Sequence, residues 1–201
     1  MAPNKPLSTS DPTKIWEVNV KVTRISKAKT EILETLWRSG KPLTIKEISE
    51  RVNLKRRSVN MHMLKLKNAG YVSSPERGSY IITEAGKEQL GLPALTIERA
   101  KFILREVPAE KAFHFYAGIG RPLGVTARSL SEFCEKILSV DLESVIFHMK
   151  RGDFELWIHY LGDVELAKRL RHIRDNLTGE DLRKELHETI KARCQYLKGV
   201  K

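Results

Sequence analysis

TIKEISERVNLKRRSVNMHMLKLKNAGYVSSPERGSYIITEAGKEQL, residues 44–90, changes its periodicity twice, and those changes decide the fold. Thr44 and Glu47 stand in capping-box spacing, in which each side chain satisfies a free amide of the other's turn. A short helix is therefore expected over about 45–52, with Ile48 and Val52 inward. After Asn53 and Leu54 a longer helix runs from about Lys55 to Ala69, with Val59, Met63 and Leu66 at i, i+4 and i+7 and Gly70 as its stop. YVSSPERGSYIIT then reads as two strands around a turn from Pro75 to Gly78, and Thr83 caps a further helix to about Leu90.

Upstream, SKAKTEILETLWRSG reads as a helix with Ser26 as its cap, an apolar stripe of Ala28, Ile32, Leu33 and Leu36, and Gly40 as its end. From Ile15 to Ile25 the chain alternates, with Trp16, Val18, Val20 and Val22 on one face, which predicts a half-buried strand able to pair with a second copy. Residues 1–13 carry Pro3, Pro6 and Pro12 and no periodicity, and are expected to form a disordered tail.

Downstream, Gly91, Leu92 and Pro93 mark the expected domain boundary. Beyond it the pattern is helical over about 97–106, 129–139, 142–150, 153–161, 164–174 and 180–197. The starts are marked by Ser129 with Glu132, by Asp141, by Asp163, and by Thr178 with Asp181. Only residues 112–120, AFHFYAGIG, read as extended, and Gly118, Gly120 and Gly124 are expected to form a turn. The spacing of those glycines departs from a dinucleotide fingerprint.

The 201 residues suffice for two small cores, and 36 Lys and Arg against 25 Asp and Glu give a net charge of +11. The excess sits in residues 1–92, with 17 basic and 9 acidic residues, rather than in 93–201, with 19 and 16. A basic N-terminal half suits an anionic partner such as DNA, RNA or a membrane surface. No stretch approaches the ~20 apolar residues of a membrane span, and MAPNKPLSTSDPTK has no apolar signal core, so a soluble, cytoplasmic protein without a membrane partner is expected. Cys134 and Cys194 fall on apolar helix positions and read as core thiols rather than a disulfide or zinc set. The scarcity of glutamine, at Gln89 and Gln195 only, leans towards a thermophile.

The order of elements in residues 27–90 resembles the winged helix-turn-helix domain of bacterial and archaeal transcription regulators. It does so in the capped second helix, the Val59, Met63, Leu66 spine, the Asn68–Val72 exit and the ITEAG after the hairpin. The resemblance implies a third helix in the major groove and a homodimer on a two-fold DNA site, since that groove admits an α-helix and presents a distinct pattern for each base pair. The residues implied to touch nucleic acid are Lys55, Arg56, Arg57, Ser58, Asn60, Met61 and Lys65, with Arg77 and Ser79 from the wing. In that scheme Arg57 pairs with guanine, Asn60 with adenine, and Met61 meets a thymine methyl, while Lys55, Arg56 and Lys65 hold phosphates. Lys55, Arg56 and Arg57 stand at a helix N-terminus, where the macrodipole disfavours cations, so stability alone would not select them. A solvated charged helix, a protein-binding winged helix, and an RNA-binding or ribosome-associated factor are the alternatives. The last gains from a second basic stripe of Lys168, Arg169, Arg171 and Arg174.

Glu155 and His159, with His148, Asp153 and Asp163 nearby, could be imagined as a metal cluster, but Phe154, Trp157, Ile158 and Leu161 give that helix an ordinary core stripe. No nucleophile motif is present. The expectation is a binding protein that is not an enzyme and needs no metal or cofactor. VTARSLSEFCEKILSVDLESVIFHMKRGDFELWIHYLGDVELAKRLRHI resembles a small helical domain family of unknown function found in archaea and bacteria. In it His148 and Asp153 are expected to join two elements by a buried hydrogen bond, with a ligand pocket as the alternative. The fold class expected is mainly α with a small β-hairpin wing. It comprises a disordered tail at 1–13, a winged helix-turn-helix domain at 14–92 and a helical domain at 94–201, in a regulator of archaeal type.

Overall fold

A computed structural model of the chain describes residues 25–200. The expected tail at 1–13 and most of the expected strand at 15–25 lie outside the described residues. Among them are ten α-helices and five short strands, in two compact units that divide between Thr96 and Ile97. No described helix is long and apolar enough to cross a membrane.

In the first unit α1 (Lys27–Ser39) buries Ile32, Leu33, Leu36 and Trp37 and ends at Gly40. β1 (Leu43–Thr44) leads into α2 (Ile45–Arg51), α3 (Arg56–Asn68), β2 (Val72–Ser73), β3 (Ser79–Ile82) and α4 (Glu84–Gln89). The core is Ile32, Leu33, Leu36, Leu43, Ile48, Val59, Met63, Leu66 and Val72, with the spine of α3 meeting the stripe of α1. The capping box at α2 is complete: Glu47 N donates to Thr44 Oγ1 at 3.3 Å and Thr44 N donates to Glu47 Oε2 at 2.8 Å. The Thr44 amide and hydroxyl, both donating to Glu47 Oε2, hold the Glu47 carboxyl below its ordinary pKa. Between α2 and α3 the chain reverses at Asn53, whose φ of 50° is a left-handed conformation that asparagine tolerates better than most residues.

β1 was not legible beforehand. It is two residues long, and it turns the hairpin into an antiparallel three-stranded sheet of order β1-β3-β2, pairing Leu43 with Tyr80 and Thr44 with Ser79. The wing is thereby tied to the residue that caps α2. At Gly86 the helix α4 passes so close to the carbonyl of Tyr71 that a Cβ would overlap it, and would also lie 2.7 Å from Ile82 Cγ1.

The second unit comprises α5 (Ile97–Leu104), a short 3-10 turn (Ala109–Lys111), β4 (Phe113–Gly118), β5 (Arg121–Ala127), α6 (Leu130–Ser139), α7 (Leu142–Arg151), α8 (Asp153–Leu161), α9 (Val164–Asn176) and α10 (Gly179–Lys198). The inward residues of β4, Phe113 and Phe115, pack with Phe133 of α6, Phe154 and Trp157 of α8 and His148 of α7, with ring centroids 4.9–6.2 Å apart. This aromatic cluster is the centre of the unit.

Three expectations need correction here. Residues 121–127 form a strand rather than irregular chain: Pro122 and Gly124 mask its propensity, but Leu123, Val125 and Ala127 alternate with exposed neighbours, and irregular register with β4 accommodates both residues. The three glycines therefore do not share one turn, since Gly118 ends β4, Gly120 lies in the connection and Gly124 lies within β5. Ser26, Asp141 and Thr178 occupy N-cap positions but make no capping bond with their side chains, which are exposed to water instead. Ser129 and Asp163 do cap, receiving Glu132 N and Leu166 N at 3.2 and 3.0 Å. Both cysteines are buried and unbridged, and burial pushes the Cys134 thiol up to about 11, which removes it from thiolate chemistry at neutral pH.

Candidate nucleic-acid interface

With Val59, Met63 and Leu66 turned into the core, helical spacing puts Arg57, Met61, Leu64 and Asn68 on the opposite face of α3. Arg56, Asn60 and Lys67 follow on one flank, and Ser58 and Lys65 on the other. Lys55 is the N-cap residue, and its side chain makes no capping bond. Lys55, Arg56, Arg57, Ser58, Asn60, Met61 and Lys65 are all exposed. The helix contains no acidic residue, and Lys55, Arg56, Arg57, Lys65 and Lys67 have no carboxylate partner among the described residues. Four cations on one 13-residue helix and a fifth at its N-cap thus have no carboxylate beside them among the described residues, an arrangement that repels itself and rewards an anionic partner.

The wing presents Arg77 on an exposed turn. Ser79 is less available than the sequence implied: it pairs with Thr44 in the sheet, and both its amide and its hydroxyl donate to Glu76 O, at 3.1 and 3.3 Å. Three residues escaped sequence reading. Leu64 is 54 % exposed, as is Met61 one turn before it. With Asn60, Lys67 and Tyr80 of β3 they line a groove of about 220 Å³ between α3 and the wing. The i, i+3 spacing of two outward apolar residues was the available signal.

The second basic stripe is partly neutralised. Arg174 pairs with Glu155 at 2.7 Å and Arg169 with Glu165 at 3.3 Å, leaving less free charge on α9 than the sequence suggests. The residues once grouped as a metal cluster are dispersed: Asp163 is held by Arg193, Glu155 by Arg174, and His159 is exposed. Among the described residues no group of three His, Cys, Asp or Glu is placed to hold a metal.

His148 and Asp153 do make the expected bond, 2.8 Å from Nδ1 to Oδ2. The Nε2 atom accepts the backbone N–H of Tyr116 at 2.9 Å, so it must carry a lone pair and the ring proton sits on Nδ1. With both nitrogens engaged, the imidazole joins α7, α8 and β4 and has no lone pair left to act as a base. Burial holds its pKa below the ordinary 6.5, against the opposing pull of Asp153. Because the folded value is the lower one, the unfolded chain takes up the proton first. The contribution of His148 is complete above about pH 6.5 and is lost as the pH falls below it. Urea midpoints of the second unit should fall more between pH 7.5 and 5.5 in the wild type than in His148→Asn. Equal slopes would remove this assignment.

Comparison with known proteins finds two family matches, in separate stretches of the chain. Residues 25–73 match the winged helix-turn-helix DNA-binding family. Residues 95–191 match a family of unknown function, DUF5752. No curated protein matches. The solved structure of E. coli McbR/YncC is similar at 16 % identity and a TM-score of 0.26, covering 83 % of this chain and 71 % of its own. The chain thus combines a winged helix-turn-helix domain with a second domain that matches a family of unknown function.

Proposed function

We propose that the protein is a DNA-binding transcription regulator, non-enzymatic and resident in the cytoplasm or nucleoid. Residues 14–92 bind double-stranded DNA, and residues 94–201 serve dimerisation, ligand sensing or partner recruitment. The observation that carries this reading is the face of α3, where cations with no carboxylate partner among the described residues surround Asn60, Met61 and Leu64. Arg57 and Asn60 read guanine and adenine edges, Met61 and Leu64 meet thymine methyl groups, and Lys55, Arg56, Lys65 and Lys67 hold phosphates. Arg77 of the wing adds a backbone contact. A homodimer supplies two reading helices to a two-fold site.

Selection from a random duplex pool supplies the site, and two variants then test the roles. Arg57→Ala should weaken that site by about 1–3 kcal/mol and relax the preference at one position. Lys65→Ala should weaken every duplex alike and make the salt dependence shallower by about one unit of slope. If Arg57→Ala lowers affinity equally for all sequences, base reading by that residue is wrong. Failure to select any duplex, together with sedimentation with ribosomal subunits, would move the same face to RNA.

A further inference from the structure

The second unit contains a cavity of about 400 Å³ lined by residues of β4, the hairpin tip, α7 and the start of α8, within the range of small-molecule sites. Its floor is the bond from Tyr116 N to His148 Nε2. Phe113, Tyr116 and Phe147 supply apolar walls, and Ile119, 86 % exposed at the tip of the hairpin, forms a lip. A side chain of this size left in water beside aromatic walls has no role in the core of the unit. The glycines on either side of it, Gly118 and Gly120, add no side chain of their own to the lining, and the Arg121 side chain runs past Gly118, 3.7 Å from where a Cβ there would stand.

Two lining side chains have donors to spare, the exposed imidazole of His114 and the guanidinium of Arg151, and only the second is held in place by its neighbours. Arg151 gives its Nε to Asp153 Oδ2 at 3.1 Å and lies 5.3 Å from the Phe147 ring centroid, while its side chain remains 52 % exposed. Its two terminal nitrogens make no hydrogen bond among the described residues. Arg151 and His148 both meet Asp153 at the same oxygen, Oδ2, so its charge is offset by the Arg151 guanidinium beside it. What is left is an apolar, aromatic slot with a planar two-nitrogen donor at its mouth, held in place by a carboxylate and a ring. A guanidinium so fixed matches a carboxylate in two-point fashion, at less entropic cost than a free arginine.

We propose that this cavity binds a small aromatic carboxylate, with the ring between Tyr116 and Phe147 and the carboxylate on the terminal nitrogens of Arg151. The site is built from the second unit alone and does not depend on the DNA-binding reading.

Benzoate, phenylacetate and indole-3-acetate, each beside its uncharged amide, are the probes for the full chain, read by calorimetric titration and thermal unfolding. At least one acid should bind saturably and raise the melting temperature, about tenfold more tightly than its amide. Arg151→Gln should abolish that preference while leaving the amide's affinity unchanged. Ile119→Glu, at a position too exposed to disturb folding, should weaken the acid about tenfold by repulsion and serves as the check if Arg151→Gln is unstable. The proposal is overturned if no acid binds saturably, if acid and amide bind alike, or if both variants bind the acid as the wild type does.

Discussion

Arg193→Ala should cost the second unit about 3–5 kcal/mol, the scale of breaking a buried ion pair by removing one partner. Arg193 holds Asp163 through two bonds of 2.8 Å, from Nε to Oδ2 and from Nη2 to Oδ1, and holds Glu165 through a third of 3.0 Å. The Asp163 side chain is 1 % exposed, so the truncated protein would leave a carboxylate buried at the start of α9 with one backbone amide donating to it and only the field of Arg99 against its charge. Glu165 is better placed, since Arg169 also reaches it at 3.3 Å. The double variant Asp163→Asn with Arg193→Met should be less damaging than Arg193→Ala alone. Asparagine keeps an oxygen for Leu166 N, and neither member of the Asp163–Arg193 pair is stranded as a charge, although the buried Arg99 loses the field of Asp163. Urea midpoints for the three proteins check both statements. An unchanged midpoint for Arg193→Ala would mean that the pair contributes nothing.

Gly86→Ala should unfold the winged helix more readily by about 1–3 kcal/mol, the usual cost of forcing a methyl group into filled space, although alanine is ordinarily the better helix former. The added carbon meets the carbonyl of Tyr71, which is backbone and accepts the amide of Thr83 at 3.1 Å. Relief therefore requires α4 to move away from the start of β2. Because Tyr71 also donates its own amide to Leu66 O, at 2.9 Å, the displacement reaches the C-terminal end of α3. DNA affinity and thermal stability should fall together. A variant as stable as the wild type would show that α4 can shift without cost.

Much of the architecture was legible because it is specified over four residues or fewer. The Thr44–Glu47 box, the Val59, Met63, Leu66 spine and the stop at Gly70 are local spacings, and each element stands where its spacing puts it. Elements that depend on a distant partner were not legible. β1 is a strand only because Ser79 and Tyr80 come back to it, and β5 survives its proline and glycine only because β4 lies alongside. The same division holds at the sites. The outward residues of α3 follow from its spine, whereas the groove shared with Tyr80 needs the wing to be in place. Asp163 was read correctly as a cap, yet its principal partner lies 30 residues further on. The pairing of His148 with Asp153 follows from resemblance to a family, whereas the role of Tyr116 in fixing the tautomer depends on β4 lying against α7.

Thr44 serves two masters, and that narrows what drift can place there. The cap of α2 accepts serine, aspartate or asparagine as readily as threonine. The strand partner of Ser79 favours a β-branched residue and disfavours aspartate and asparagine. Threonine alone among the twenty satisfies both demands well. Variation at residue 44 should thus be far scarcer among related sequences than its exposure suggests, with serine as the commonest exchange. A lineage that loses the hydroxyl should show compensating change at Glu47, whose amide would lose its acceptor and whose carboxylate would keep only the residue-44 amide as donor.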